Sequence, residues 1–206
     1  MNNLKNIKNI LFDCDGVLYS DLEAVFGQVS KRMTKYISNK LNLDLVKAKE
    51  LQRDYFHKYN TSLNGLMIHH DIPPEEFLEY VHDIDLSFME KDLVLRNELE
   101  NINLNKFVFT NGSRAHVKNI VKTLGIEDQF KDIFDIVDAK YHPQPEAKAF
   151  DLMVDKFKIN PKETLYIEDI AKNLSIGKER GTITAWLIND EYWGKKESDK
   201  DYIDYK

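Results

Sequence analysis

Hydrophobic residues near the N-terminus form a run that ends abruptly in acidic residues. The run begins near Ile7 and ends at Phe12, where Asp13, Asp15 and Gly16 follow. Such a run, closed by a turn, is typical of a strand buried on both faces of a parallel sheet. Ligands of open α/β sheets bind beyond the carboxyl ends of these strands. The pattern therefore predicts that the two aspartates lie where chemistry takes place.

The next eighty residues have the hydrophobic spacing of helices and contain no convincing strand. The first helix is predicted to begin after Ser20 or Asp21, and the second after Asp44, because these residue types cap helices. Further helices are predicted at about 62–70, 74–82 and 93–102. The pattern indicates an all-helical insert.

Short apolar runs and helical segments alternate in the second half of the chain. Strands are predicted at 107–109, 133–137, 164–167 and 182–188, and helices at 113–124, 145–158 and 172–180. Repeated strand, helix and strand is typical of a parallel α/β sheet. In the tail, 191–206, only a short edge strand at 202–205 is expected.

Composition narrows the class of partner. The chain has 206 residues, a formal net charge of −6 and one cysteine, Cys14. This charge argues against a nucleic-acid polymer as partner, and no run is long and apolar enough for a membrane span. No secretion signal is visible, and the single cysteine suits a reducing compartment, so a cytoplasmic location is expected. The expected state is a monomer or a homodimer. Cys14 is expected to face away from the aspartates and to pack in the interior.

The spacing of Asp13 and Asp15 predicts a shared ligand. Side chains two residues apart in an extended chain point the same way, so both carboxylates can converge on one ion. Mg²⁺ prefers oxygen ligands, would relieve the repulsion between the two acids and would recruit a phosphorylated substrate. A strand followed by an ordinary turn rich in aspartate is the alternative interpretation.

Two other strand ends carry polar groups to the same edge of the sheet. The segment 110–113, Thr-Asn-Gly-Ser, leads into a helix N-terminus, which suits a phosphate oxygen. Glu168 and Asp169 follow another apolar strand, and a second acidic pair favours a metal site.

These motifs together resemble the haloacid dehalogenase superfamily of phosphohydrolases. They comprise the segment 13–18 (Asp-Cys-Asp-Gly-Val-Leu), Thr110-Asn111 and Glu168-Asp169, in this order. Tyr19, the segment 63–66 and the segment 81–85 are similar to its pyrimidine 5'-nucleotidase-like branch. The resemblance implies a Rossmann-like core of residues 1–19 and 103–206. It also implies an all-helical cap of residues 20–102, inserted after the first strand.

The implied activity is Mg²⁺-dependent hydrolysis of a phosphate monoester through an aspartyl phosphate. Asp13 is expected to attack phosphorus, and Asp15 to protonate the leaving oxygen and then activate water. Thr110, Asn111 and Gly112 are expected to bind the phosphate, whereas Asp13, Asp15, Glu168 and Asp169 hold the metal. The expected partner is a small phosphorylated metabolite, such as a nucleoside 5'-monophosphate.

One position departs from the family pattern. Gln144 stands between two prolines where the family has a lysine, although the glutamine remains a candidate substrate contact. Losing a charged donor of this kind costs roughly 3 to 4 kcal/mol of transition-state stabilisation. Lys148, one helical turn later, is the first candidate replacement, and Lys140 and His142 are others. A weakened family member that binds phosphorylated ligands, or a phosphomutase, is the alternative function.

The histidines are assigned weaker roles. His82, together with Asp83 and Asp85, is a candidate for substrate contact from the helical insert. His57 and His116 are expected on helix surfaces.

Overall fold

A five-stranded parallel sheet forms the centre of the computed structural model, which describes residues 4–206. The strands are β1 (Asn9–Phe12), β2 (Asn105–Phe109), β3 (Asp132–Phe134), β4 (Thr164–Glu168) and β5 (Ile183–Trp186). Their order across the sheet is β3-β2-β1-β4-β5, so the N-terminal strand is central. The predicted parallel α/β fold is confirmed.

Helices cover both faces of the sheet and extend beyond its edge. They are α1 (Leu22–Leu41), α2 (Leu45–Tyr59), α3 (Ser62–His70), α4 (Pro74–His82), α5 (Leu93–Asn101), α6 (Arg114–Leu124), α7 (Ala147–Phe157), α8 (Leu174–Arg180) and α9 (Tyr192–Lys195).

Strand β1 separates two hydrophobic clusters because its side chains alternate between the faces of the sheet. Ile10 and Phe12 belong to one cluster, which also includes residues of α6. Leu11 belongs to the other, with Phe150 of α7 and Leu174 of α8. All four residues of the strand are buried, as predicted for a strand covered on both faces, and they include the polar Asn9.

The helices α1 to α4 pack around a third hydrophobic cluster and are called the helical layer below. Asp21, Asp44 and Thr61 cap the first three of them by accepting a hydrogen bond from the backbone N–H three residues later. Helix α5 packs differently, because its Leu99 belongs to the sheet cluster on the α6 side. The predicted division into core and cap at residues 19/20 and 102/103 stays a prediction.

Several element ends differ from the sequence pattern. The strand predicted at 133–137 ends at Phe134, because Asp135 starts a turn in which its carbonyl and carboxylate accept from Ala139 and Asp138. The strand predicted at 202–205 is reduced to one bridge between Tyr205 and Ala185. Within residues 4–206, no helix has both the length and the apolar character needed to cross a membrane.

Helix α8 approaches β4 closely at Gly177, and this contact generates a stability prediction. A Cβ atom at position 177 would lie 2.7 Å from Thr182 Oγ1 and 2.8 Å from Tyr166 Cδ1. We expect Gly177→Ala to lower the free energy of unfolding by about 1–3 kcal/mol through overpacking. Urea denaturation measures this, with Ser175→Ala in the same helix as control. A stabilising Gly177→Ala, the usual effect of this change in a helix, would contradict the packing.

Candidate active site

A cavity of about 490 Å³ opens between the carboxyl edge of the sheet and the helical layer. Most of the residues predicted for the site line this cavity: Asp13, Asp15, Thr110, Asn111, Gly112, Glu168 and Asp169. They lie at or just after the carboxyl ends of β1, β2 and β4, which are neighbours in the sheet. The structure thus brings three of the sequence motifs to one place.

The register between β1 and β4 places three acids together. Phe12 pairs with Ile167, and the Asp13 N–H donates to the Ile167 carbonyl at 3.0 Å. Three carboxylate oxygens lie within 4.8 Å of one another, one each from Asp13, Glu168 and Asp169. All three residues are buried, with exposed fractions of 8%, 1% and 4%.

Burial and mutual repulsion disfavour the charged forms of these acids. Burial raises the pKa of Asp13 well above its usual range, and the charges of Asp169 and Asp15 raise it further. Burial likewise raises the pKa of Glu168, with Asp13 as the largest charge effect. The pKa of Asp169 is raised to about 7, again chiefly by burial. A cation between the three carboxylates would remove this penalty.

The donor set fits Mg²⁺, which favours carboxylate oxygens over nitrogen or sulfur. Asp13 and Asp169 are the better placed ligands. Both oxygens of Glu168 already accept hydrogen bonds at 2.5 Å, one from the Ile170 N–H and one from Asn173 Nδ2. Asp15, which was also predicted as a ligand, lies outside this group of three.

Gly16 allows Asp169 to reach this position. Gly16 has a φ of 78°, and a Cβ atom there would lie 2.4 Å from Asp169 Oδ2. Any other residue would be strained and would displace the carboxylate. Gly16 is therefore required both for the backbone conformation of the turn and for the space that Asp169 occupies.

The end of β2 provides groups suited to a phosphate. Thr110 Oγ1 accepts a hydrogen bond from the Gly112 N–H at 3.1 Å, and its own hydroxyl donates to the neighbouring Asp13, so the hydroxyl lies where the nucleophile and a phosphate oxygen would meet. Ser113 caps α6, whose positive dipole end faces the same region. The side chain of Asn111 is partly committed, because its Oδ1 accepts from the backbone N–H of Gln144 at 2.8 Å.

Gln144 is buried in the fold and does not line the cavity. Its side-chain nitrogen donates to the Phe109 carbonyl at 3.0 Å, and its oxygen accepts from the Tyr166 hydroxyl at 2.8 Å. The side chain is 1% exposed. The predicted substrate contact of Gln144 is therefore not supported, since both ends of the amide are used within the protein.

The candidate replacements for the missing lysine also lie away from the cavity. Lys148 and Lys140 are exposed, and Lys148 faces Asp151 closely enough to lower the pKa of that carboxyl, after the larger effect of Arg180. His142 bonds Glu146 at 2.9 Å. A catalytic role for Lys148 stays a prediction that its position does not favour.

The expectation that His116 lies on a helix surface is wrong. His116 is 1% exposed, and its Nε2 lies 2.8 Å from Oδ1 of Asp15. The same oxygen accepts a hydrogen bond from the Tyr19 hydroxyl at 2.5 Å. Burial alone would raise the pKa of Asp15, but His116 and Tyr19 outweigh it and lower that pKa.

The sequence did contain a signal for this contact. His116 precedes Ile120 and Leu124 by four and eight residues, so it belongs to the buried stripe of α6. The histidine is polar, however, and the hydrophobic pattern alone starts at Val117. Tyr19 was noted only as part of a motif.

The sequence also predicts positions for Cys14 and His82. Cys14 is buried in the hydrophobic cluster on the α6 side, which confirms that it packs in the interior, and burial raises its pKa well above the usual range. It does not face away from both aspartates, however, because its Sγ lies within 4.8 Å of a carboxylate oxygen of Asp15. His82 lines the cavity, as expected for a substrate contact, whereas Asp83 pairs with Arg32 and does not line it.

Comparison with known proteins agrees with this arrangement. The model of the haloacid dehalogenase-like hydrolase family matches residues 7–181. The chain belongs to this family. The haloacid dehalogenase-like resemblance inferred from the motifs is therefore confirmed, while its finer placement in the nucleotidase-like branch stays a prediction.

Similar proteins from this family cover nearly the same length. D-ribitol-5-phosphate phosphatase of Bacteroides thetaiotaomicron is 26% identical over 202 residues, which are 91% of this chain and 95% of that protein. Glyceraldehyde 3-phosphate phosphatase of Methanocaldococcus jannaschii is 26% identical over 224 residues, covering 97% and 92%. The magnesium-bound crystal structure of YfnB from Bacillus subtilis has a TM-score of 0.55 at 17% identity, covering 88% and 86%.

The acid cluster predicts that Mg²⁺ stabilises the protein increasingly as pH rises. Because the pKa values of the acids are raised on folding, the metal-free protein loses stability from the ordinary Asp pKa of 3.8 up to the pKa of Asp169, about 7. Mg²⁺ binds the ionised form, so its effect should be largest above that range. At a hundredfold excess over Kd the gain is about 2.7 kcal/mol.

Thermal unfolding in EDTA and in saturating Mg²⁺, at about pH 5 and about pH 8, measures this effect. Asp169→Asn should abolish the Mg²⁺ increment, and Asp128→Asn, which changes an exposed carboxylate paired with Arg96, should retain it. An equal increment in all three proteins would argue against a metal between the acids.

Proposed function

We propose that this chain is a Mg²⁺-dependent phosphatase that hydrolyses a small phosphate monoester through an aspartyl phosphate. The observation that carries the proposal is the cluster of Asp13, Glu168 and Asp169 beside Thr110, all lining one cavity. Similarity to two proteins named as phosphatases supports the reaction class. The magnesium in the related YfnB structure supports the choice of metal.

Each residue has a defined part in this chemistry. Asp13 forms a bond to phosphorus as the bond between phosphorus and the leaving oxygen breaks, and Asp15 gives that oxygen a proton. In the second half Asp15 takes a proton from the attacking water, and the bond between Asp13 and phosphorus breaks. Thr110 and the backbone N–H groups at the start of α6 hold the phosphate oxygens. Bound Mg²⁺ would neutralise charge between the acids and the phosphate.

The substrate is proposed from the wall of the cavity opposite the acids. Most of this wall is apolar, and its aromatic members are Phe26, Phe56, Phe77, Tyr192 and Trp193. Lys49, Arg53 and His57, at four-residue spacing on α2, also line it. A flat organic group attached to the phosphate would use such a wall better than a bare polyol. A nucleoside 5'-monophosphate is therefore the proposed substrate class.

The nucleophile assignment predicts a large loss of activity from a small change. Asp13→Asn keeps the size of the side chain but removes its nucleophilic charge, so phosphate release should fall by roughly a thousandfold or more. The assay is phosphate release from nucleoside monophosphates, ribitol phosphate and glyceraldehyde phosphate, with Mg²⁺ or EDTA. Asp155→Asn, at a position where no site role is assigned, is the matched control. Undiminished turnover in Asp13→Asn or in EDTA would refute this mechanism.

A second function, binding of a phosphorylated ligand without turnover, is favoured by the position of Gln144. Its amide is committed to Phe109 and Tyr166, so it gives no charge to the site. Under the phosphatase proposal, Gln144→Lys should lose stability through a buried charge and change turnover by less than about tenfold. Gln144→Met is the control for lost hydrogen bonds. An inert wild type that gains about a hundredfold or more turnover as Gln144→Lys would instead identify a binding protein.

A further inference from the structure

The two oxygens of the Asp15 carboxylate have different surroundings. Oδ1 is bonded by the Tyr19 hydroxyl at 2.5 Å and by His116 Nε2 at 2.8 Å. Oδ2 lies on the side of Gly112, 3.9 Å from where a Cβ of that residue would stand, and no described residue hydrogen-bonds it. Asp15 lines the cavity, whereas Tyr19 and His116 do not. Oδ1 therefore carries both hydrogen bonds of this carboxylate, whereas Oδ2 carries none from the described residues and can meet a ligand in the cavity.

The histidine is fixed in a tautomer that donates to Asp15. His116 Nδ1 is buried and has no hydrogen-bond partner among the described residues. A proton on Nδ1 would therefore be a buried unpaired donor, which is costly, so the neutral ring carries its proton on Nε2. Tyr19 can likewise only donate to a carboxylate. Both contacts on Oδ1 are thus donors.

The helical layer holds the histidine from its other side. His82, the last residue of α4, stacks on His116 with ring centroids 4.4 Å apart and an interplanar angle of 19°. His82 Nδ1 is also 2.9 Å from Ser113 Oγ, the cap of α6. The stacking fixes the plane of the His116 ring, and the 2.8 Å contact with Asp15 Oδ1 sets the direction of Nε2 within that plane.

We propose that His116 and Tyr19 are positioning residues that occupy Oδ1 of Asp15 and so confine its transferable proton to Oδ2. An oxygen that already accepts two hydrogen bonds has no room for a proton, so a protonated Asp15 carries it on the cavity side. When the phosphorus to oxygen bond breaks, that proton moves from Oδ2 to the leaving oxygen, while Oδ1 keeps both donors. In the second half, Oδ2 receives one proton from water. The inference rests on the proposed phosphatase function.

Two substrates whose leaving groups differ in basicity distinguish the positioning of the Asp15 proton from a purely structural role of His116 and Tyr19. Phenyl phosphate leaves as a basic phenolate that needs a proton, whereas p-nitrophenyl phosphate has nearly the same shape and needs little help. Tyr19→Phe and His116→Leu should lower kcat/KM for phenyl phosphate by about tenfold or more, and for p-nitrophenyl phosphate by less than about threefold. His116→Gln can place a donor nitrogen near the position of Nε2, so it should retain most of the activity on both.

Tyr202→Phe is the control, because it removes a hydroxyl bonded to Glu197 outside the cavity. Thermal unfolding shows whether the histidine variants are folded. Tyr19→Phe nearly preserves side-chain volume, so it tests the proposal even if a histidine variant misfolds. Equal losses on the two esters, or His116→Gln as impaired as His116→Leu in a folded protein, would overturn the positioning role alone. A wild type that releases phosphate neither from these two esters nor from nucleoside monophosphates, ribitol phosphate or glyceraldehyde phosphate would overturn the proposed function and this inference with it.

Discussion

The parallel pairing of β1 with β4 is the constraint on which the site depends. The register joins Phe12 to Ile167, so the residues that come next in each chain segment emerge at the same level of the sheet. Those residues are Asp13 on one side and Glu168 and Asp169 on the other. Hydrophobic burial of the strands thus forces three carboxylates together against their repulsion. A fold that stores such repulsion gains stability when a cation binds, so the proposed metal binding and the predicted pH dependence have one physical origin.

Gln144 sharpens this dependence on a cation. Its amide links the Phe109 carbonyl of β2 to the Tyr166 hydroxyl of β4, the two strands that flank β1. The residue therefore connects the two strands on either side of Asp13, the proposed nucleophile, but it contributes no positive charge. In a family whose pattern has lysine here, the proposed metal would have to provide more of the positive charge at Asp13 in this chain. Gln144 thus preserves the connection between β2 and β4 but not the positive charge that a lysine would bring to the site.

The sequence predicted the elements and the acids better than the direction of single side chains. Apolar runs identify buried strands, and topology then brings the ends of parallel strands to one edge, so the convergence of Asp13 with Asp169 followed from pattern alone. The orientation of Gln144 could not be predicted, because a loop between prolines has no period that assigns a face. His116 was missed because it is a polar residue on an apolar stripe. Only the partner, 101 positions away in Asp15, explains its burial.

The contacts of Asp15 connect the chemistry to the helical layer. Tyr19 lies just before α1, and His116 is held against Asp15 by His82 at the end of α4. Helix α4 also contributes Phe77 and Leu78 to the cavity wall, so the helix proposed to meet the leaving group also supports Asp15, the proposed proton donor. A leaving group that packs against this wall stabilises the arrangement in which Oδ2 faces the leaving oxygen. Discrimination between substrates should then be expressed in the chemical step, since binding energy is used to orient the proton donor as well as to hold the ligand.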